Sequence, residues 1–207
     1  MSEASEAFED LLGSVILSLG IELSAQQVNQ LSFHYTVLMQ WNRKMNLSAI
    51  REPEKVVRRH YGESLFLAKK LPDAVGTLVD VGSGAGFPGV PVAIYHPNLH
   101  VSLVESIAKK ATFLREATRE LRNVRVLNAR AETLEKQFDW VAMRAVAPAP
   151  LVRRLTELAP NLALLVTHQA VAVLQHNTGI SWESPQPLPW SQGRVLLIGR
   201  RILRRFT

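Results

Sequence analysis

The spacing of apolar positions divides the chain into two textures. Val28, Leu31, Tyr35, Leu38 and Met39 recur at three- and four-residue intervals, the repeat of an amphipathic helix. Ser24 and Gln27 have the spacing of a capping box at the start of that helix. A shorter helix is predicted before it. A third is predicted from Pro53, a residue suited to a first helical turn because the N–H it lacks would have no partner there. It runs through VVRRHYGESLFLAKK to a stop near Pro72.

From residue 76 onward, short apolar runs alternate with helical stretches. The order is TLVDV, a helix around PGVPVAIY, HVSLVE, the charged helix IAKKATFLREATREL, VRVLN, FDWVAMR, a helix from about Pro150, and LALLV. Such alternation predicts an α/β fold, a mostly parallel twisted sheet with helices on both faces. RVLLIGRRIL follows the loop-like SPQPLPWSQG with no long helix between, so an antiparallel edge strand is expected there, paired with SW near residue 181. The expected organisation is an N-terminal helical segment, residues 1–73, packed on a sheet domain, residues 74–207, as one compact unit.

In a doubly wound sheet, ligands bind beyond the carboxyl ends of the strands, where the strand order reverses. TLVDV is the first strand, and the stretch LVDVGSGAGFPG puts Gly82, Ser83, Gly84, Ala85 and Gly86 at that edge. The second strand ends at Glu105, in the register where an acidic side chain accepts hydrogen bonds from a ribose diol. NAD and S-adenosylmethionine both use such a turn, and residues 84–89 formally spell GxGxxG. A pyrophosphate needs N–H groups at a helix start, whereas Asp80 precedes the glycines and Pro88 deletes an N–H. S-adenosylmethionine has no phosphate and carries an ammonium and a sulfonium, so the acidic strand end favours it. Beyond the third strand, Ala131 and Glu132 offer a backbone N–H and a carboxylate to flank an adenine, and the fourth strand ends in Arg144.

Composition narrows the chemistry further. The chain has 207 residues, 47% hydrophobic and 20% charged, enough for one sizeable core. No apolar run approaches the ~20 residues of a membrane span, and the acidic start MSEASEAFED is unlike a basic presequence. A cytoplasmic protein without a membrane partner is expected. Cysteine is absent, which excludes thiolate metal sites and cysteine-nucleophile mechanisms, including ring-carbon methylation of pyrimidines; no metal is expected. MRAVAP at the fourth strand is not the Asp/Asn-Pro-Pro-aromatic tetrapeptide of amino-group methyltransferases acting on adenine or cytosine. A net charge of +6 makes nucleic acid a plausible partner. Guanine N7 is an acceptor that needs neither a cysteine nor a general base, because its lone pair is already free. Catalysis then reduces to alignment in a dry site, with no residue assigned as acid or base.

With these residues assembled, the chain resembles the bacterial glucose-inhibited division protein B family, the 16S ribosomal RNA guanine-N7 methyltransferases acting on the 530 loop. WNRKMNLSAI, RRHYGESL, LVDVGSGAGFPGVPVAI, LVESIAKKATFL, ARAE and FDWVAMRAVA carry the resemblance. It implies a Rossmann-like class I S-adenosylmethionine-dependent methyltransferase fold, with 16S rRNA or the 30S subunit as partner, the protein working as a monomer. Its cofactor contacts fall on Gly82, Phe87, Ala131, Glu132 and Arg144, beside Asp80, Ser83, Gly84 and Glu105 from the strand ends. It puts Asn42, Asn46, Ser48, His60 and Ser64 near the pocket mouth as substrate or architectural groups, His60 being either a substrate contact or a satisfied packing residue. Among the paired basic residues, Lys109 and Lys110 are the expected phosphate contacts. Glu105 and Glu63 stand where the family more often has Asp. The segment APNLALLVTHQAVAVL lacks the family's usual Lys-Gly, leaving the basic tail RRILRRF as the candidate for contacts there. The alternatives are an NAD-dependent oxidoreductase and a non-catalytic RNA-binding or ribosome-assembly factor with the same fold.

Overall fold

A computed structural model describes residues 3–72, 76–144, 150–176 and 179–202. The expected boundary between residues 73 and 74 lies outside the described residues, as do Arg204 and Arg205 of the basic tail.

Helices α1 (Glu3–Leu19) and α2 (Ala25–Asn42) open the chain. The capping box of α2 is present in full: the Gln27 N–H donates to Ser24 Oγ at 3.3 Å, and the Ser24 N–H donates to Gln27 Oε1 at 2.8 Å. The helix expected from Pro53 is not uniform. Its first turn, α3 (Pro53–Val56), widens into a π-helical stretch over Val57–Gly62 before α4 (Glu63–Lys70) resumes regular geometry. Apolar spacing carries no mark of that widening, which holds His60 and Tyr61.

Alternating strands and helices follow: β1 (Thr77–Val81), α5 (Gly89–Tyr95), β2 (His100–Val104), α6 (Ala108–Ala117), β3 (Val124–Leu127), β4 (Trp140–Arg144), α7 (Val152–Leu158), β5 (Asn161–Thr167), α8 (His168–Gln175), β6 (Ile180–Trp182), β7 (Gln186–Pro187) and β8 (Arg194–Arg201). The sheet runs β3-β2-β1-β4-β5-β8-β6, with β7 also paired to β8. Its first five strands are parallel, and β8 is antiparallel to β5. The pairing of β8 with residues 180–182 is as expected, but β8 is an interior strand, not an edge, because β6 and β7 both cover its second side. Gly199 permits this, since a Cβ there would lie 2.5 Å from the Trp182 indole.

Strand alternation sorts side chains between two cores. Leu78 of β1, Trp140 and Ala142 of β4 and Ala163 and Leu165 of β5 face the side that also holds Phe8, Leu31, Tyr61 and Phe113. Val79, Val81, Val141, Met143, Leu162 and Leu164 face α7 and α8. The N-terminal helices therefore share one core with the sheet. Stacking of Phe8 on Tyr35, with ring centroids 4.4 Å apart, and its edge contact with Tyr61 at 4.9 Å contribute about 0.5–1.5 kcal/mol each beyond area burial. The same alternation sends Asp80 and Arg144 toward the helical segment, and the strand order reverses between β1 and β4 beside them.

Candidate functional site

The turn after β1 forms one wall of a cleft at this reversal. Gly82 and Gly84 have φ of 72° and 55°, a conformation L side chains rarely adopt. The Gly82 and Ser83 N–H groups donate to Val104 O at 2.9 and 3.1 Å, which ties the turn to β2. Glu105 follows β2 and accepts from the Gly84 N–H at 3.0 Å and the Ile107 N–H at 2.8 Å, so its carboxylate joins the turn to the start of α6. From the helical side, His34 Nε2–H donates to Ala85 O at 3.1 Å while Nδ1 accepts from the Tyr61 hydroxyl at 2.7 Å. Burial pushes the His34 pKa down to about 4, consistent with a neutral ring.

Asp80 lies beneath this turn. Its Oδ2 accepts the Gly89 N–H at 3.0 Å, the carboxyl is fully buried, and Oδ1 has no partner among the described residues. Burial raises its pKa from 3.8 to about 7, against the opposing pull of the Gly89 bond. Because the folded-state value is raised, the group's contribution to stability is present at acid pH and lost as pH rises through about 7. Asp80→Asn keeps an acceptor for Gly89 and removes the charge. Its stability in urea relative to the unsubstituted protein is expected to rise between about pH 4 and about pH 7, and a pH-independent difference would mean that the buried carboxyl titrates normally.

The opposite wall is a hydrogen-bonded chain. Arg144 Nη1 lies 2.6 Å from His60 Nδ1, and Nη2 lies 3.3 Å from Glu63 Oε2. Arg194, the first residue of β8, reaches the same Glu63 oxygen at 2.9 Å. His60 Nε2 lies 2.7 Å from Ser48 Oγ, and the imidazole stacks on Phe87 with centroids 4.7 Å apart. Ser64 Oγ donates to His60 O at 2.6 Å, while Asn42 brackets Ser48 by accepting its N–H at 3.0 Å and donating to its carbonyl at 3.1 Å. Burial, followed by the charge of Arg144, pushes His60 down to about 3; burial lowers Arg144 to about 10, which leaves it charged at neutral pH. Burial raises Glu63 while Arg144 and Arg194 pull it down. Both arginines reach Glu63 at ion-pair distance without well-aligned hydrogen bonds.

Between the walls is a cleft of about 530 Å³, and a smaller cavity of about 280 Å³ meets it at Gly82 and Ser106. Of the residues expected from sequence, Gly82, Ser83, Gly84, Phe87, Glu105, His60, Lys110 and Arg144 line the cleft, and Ala131 and Glu132 line the smaller cavity. Asp80, Asn42, Asn46, Ser64 and Lys109 do not. Ser64 is fully buried, Asn42 is nearly so, and Asn46 is exposed with one long contact to Arg51 at 3.4 Å. A larger cavity of about 690 Å³, near His100 and Asn123, lies at the amino ends of the strands, away from the reversal where ligands bind in this architecture.

Several basic pairs serve the fold. Lys69 donates to Leu19 O at 2.6 Å, Arg58 pairs with Glu54, and Arg154 pairs with Glu157 while holding Ala131 O at 3.1 Å. In the sequence, Arg59 is one of several paired basic residues that are candidates for RNA contact, Glu63 reads only as a departure from the family's Asp, and Arg194 carries no assignment. Arg194 had one available signal: a strand antiparallel to β5 begins where β5 ends, so its first residue arrives at the carboxyl edge. Among the described residues, no cluster of three metal-ligating side chains occurs, and no helix is long and apolar enough to cross a membrane.

This strand order and cleft define the fold of the class I S-adenosylmethionine-dependent methyltransferases. The structure is similar to magnesium protoporphyrin IX methyltransferase from Synechocystis with bound S-adenosylmethionine (TM-score 0.61, 14% identity, covering 87% of this chain and 99% of that one). It is also similar to a fibrillarin/Nop5p complex (TM-score 0.59, 15% identity, covering 72% and 85%). Residues 27–176 match the model of the GidB family, rRNA small subunit methyltransferase G, and the chain belongs to that family. Relatives include ribosomal RNA small subunit methyltransferase G of Roseiflexus sp. strain RS-1, 44% identical over 146 residues, 67% of this chain and 62% of that one. The protein of the same name from Lachnoclostridium phytofermentans is 42% identical over 139 residues, 63% of this chain and 57% of that one. The chain thus spans about three fifths of the length of these relatives.

Proposed function

We propose that this protein transfers a methyl group from S-adenosylmethionine to N7 of a guanine in 16S rRNA, at the 530 loop. The observation that carries this is the cleft's lack of a free base among the described residues. Both ring nitrogens of His60 are engaged, both Glu105 oxygens accept backbone N–H groups, and Asp80 and Glu63 are fully buried. An acceptor that must lose a proton would find little help there; N7 has none to lose.

The residues fit the cofactor. A Cβ on Gly84 would meet nothing nearer than Gly82 O at 3.8 Å, so the glycine turn leaves an open cradle. Gly82, Gly84 and Glu105 would hold the ribose and methionine portions, and Ala131 and Glu132 the adenine. Bound S-adenosylmethionine supplies an electrophilic methyl group. Transfer of that methyl group to the N7 lone pair, with the sulfonium leaving as a neutral thioether, would move no proton, so the cleft would need only to align the base and exclude water. The Arg144 wall holds the approaching base, and Lys110 and Arg59 at the cleft carry charge for RNA phosphate.

S-adenosylmethionine is expected to raise the melting temperature, and NADH to leave it unchanged; the reverse would favour an oxidoreductase. With methyl-tritiated cofactor, label is expected in 16S rRNA at one guanine, identified by the aniline-induced strand scission that N7-methylguanosine undergoes after reduction. Cofactor binding without transfer to either 30S subunits or deproteinised rRNA would support a non-catalytic RNA-binding factor instead.

A further inference from the structure

The chain of contacts behind Arg144 settles where one hydroxyl proton points. A guanidinium offers donors and no acceptor, so across 2.6 Å Arg144 Nη1 donates to His60 Nδ1. His60 therefore carries its hydrogen on Nε2, and burial, which lowers its pKa to about 3, keeps the ring neutral. That Nε2–H donates to Ser48 Oγ at 2.7 Å, and the Ile50 N–H donates to the same oxygen at 3.1 Å. A hydroxyl has two lone pairs and one hydrogen. Both acceptor positions of Ser48 are occupied, Asn42 clamps its backbone on both sides, and it lines the cleft. Among the described residues none accepts the remaining hydrogen, which is left for a ligand.

We propose that Ser48 is a specificity-determining residue whose hydroxyl donates a hydrogen bond to O6 of the accepting guanine, with Glu63, Arg144 and His60 as positioning residues that fix the direction of that bond. This rests on the guanine-N7 reaction proposed above. On the edge that carries N7, guanine presents two acceptors, N7 and O6, whereas adenine presents N7 beside an N6 donor. N7 must keep its lone pair for the methyl group, so a fixed donor beside it can serve only O6. Against adenine the same hydroxyl meets another donor, and two buried donors face each other unpaired. The bond selects and aligns the base. It does not stabilise the cationic product ring, and no proton is transferred.

The experiment uses the full-length protein and a 16S rRNA fragment containing the guanine labelled by the unsubstituted enzyme, alongside the same fragment with 2-aminopurine there, which keeps N7 and lacks O6. Ser48→Ala is expected to lower kcat/KM on guanine by ~10-fold or more, with no further loss on 2-aminopurine and with unchanged S-adenosylmethionine affinity in calorimetry. Ser48→Thr, which keeps the hydroxyl, is expected to retain most of the discrimination between the two bases. His60→Phe, which keeps a ring against Phe87 but removes the Nε2–H, is expected to lose that discrimination as Ser48→Ala does.

Equal losses on both substrates, or a loss of cofactor affinity in Ser48→Ala, would overturn the assignment of the hydroxyl to O6; full discrimination in His60→Phe would overturn the relay. If the unsubstituted enzyme labels guanine N7 while Ser48→Ala is indifferent, only this inference falls. If it labels no guanine N7, the proposed function falls and takes this inference with it.

Discussion

Replacing Arg144 with methionine is expected to abolish measurable methyl transfer and to destabilise the fold by about 3 kcal/mol, the low end for breaking a buried ion pair by removing one partner. Two groups lose their partner at once. His60 Nδ1 is left without the donor 2.6 Å away, and Glu63, fully buried, keeps Arg194 at ion-pair distance and the more distant charge of Arg59 among the described residues. The imidazole is then free to change tautomer, so Ser48 no longer has a defined donor direction. Arg144→Lys restores the charge but places one compact ammonium where a planar fork reaches two partners. It is expected to recover stability in urea denaturation more than it recovers transfer from tritiated cofactor. Wild-type transfer by Arg144→Lys would reduce the residue to a charge and contradict the geometric role.

How well such features can be read from sequence depends on how local their causes are. The capping box at Ser24 and Gln27 depends on two residues three apart, and both of its hydrogen bonds form. The glycine turn and Glu105 depend on strand order, which the alternation of strands and helices makes legible, and they meet through the Gly84 N–H. The position of Asp80 before the glycines points to the ligand. Strand alternation puts it on the face of Leu78, beneath the turn, where it meets Gly89 instead of the cleft. The period-two pattern carries that direction, which proximity in sequence alone does not.

Other features have no local signal. The π-helical stretch that turns His60 toward Arg144 has the same residue types as a regular helix. Arg194 and Glu63 come from opposite ends of the chain and meet only because β8 inserts beside β5. Residues 177–202 lie beyond the part of the chain that matches the family model, so this contact joins a segment outside the match to the wall of the cleft.

Gly89→Ala is expected to cost about as much stability as the loss of Arg144, for a different reason. Its Cβ would lie 2.3 Å from Leu103 Cδ2, 2.6 Å from Asp80 Oδ2 and 2.9 Å from Asp80 Cβ. Leu103 is fully buried and Asp80 is fixed to β1, so neither can withdraw without disturbing the core. Overpacking of this kind costs about 1–3 kcal/mol. Moving the Gly89 N–H away from Asp80 adds the cost of an unpaired buried carboxyl, about 1–3 kcal/mol more. The displaced start of α5 also shifts the turn that ends there, so S-adenosylmethionine affinity is expected to fall at least ~10-fold in calorimetry, equivalent to about 1.4 kcal/mol. Leu103→Ala in the same chain opens space beside the new methyl group. The double variant is expected to be more stable than the sum of the two single losses implies, because contacting sites are not additive. Strict additivity in urea unfolding would show that the clash with Asp80, and not the close approach of Leu103, sets the cost.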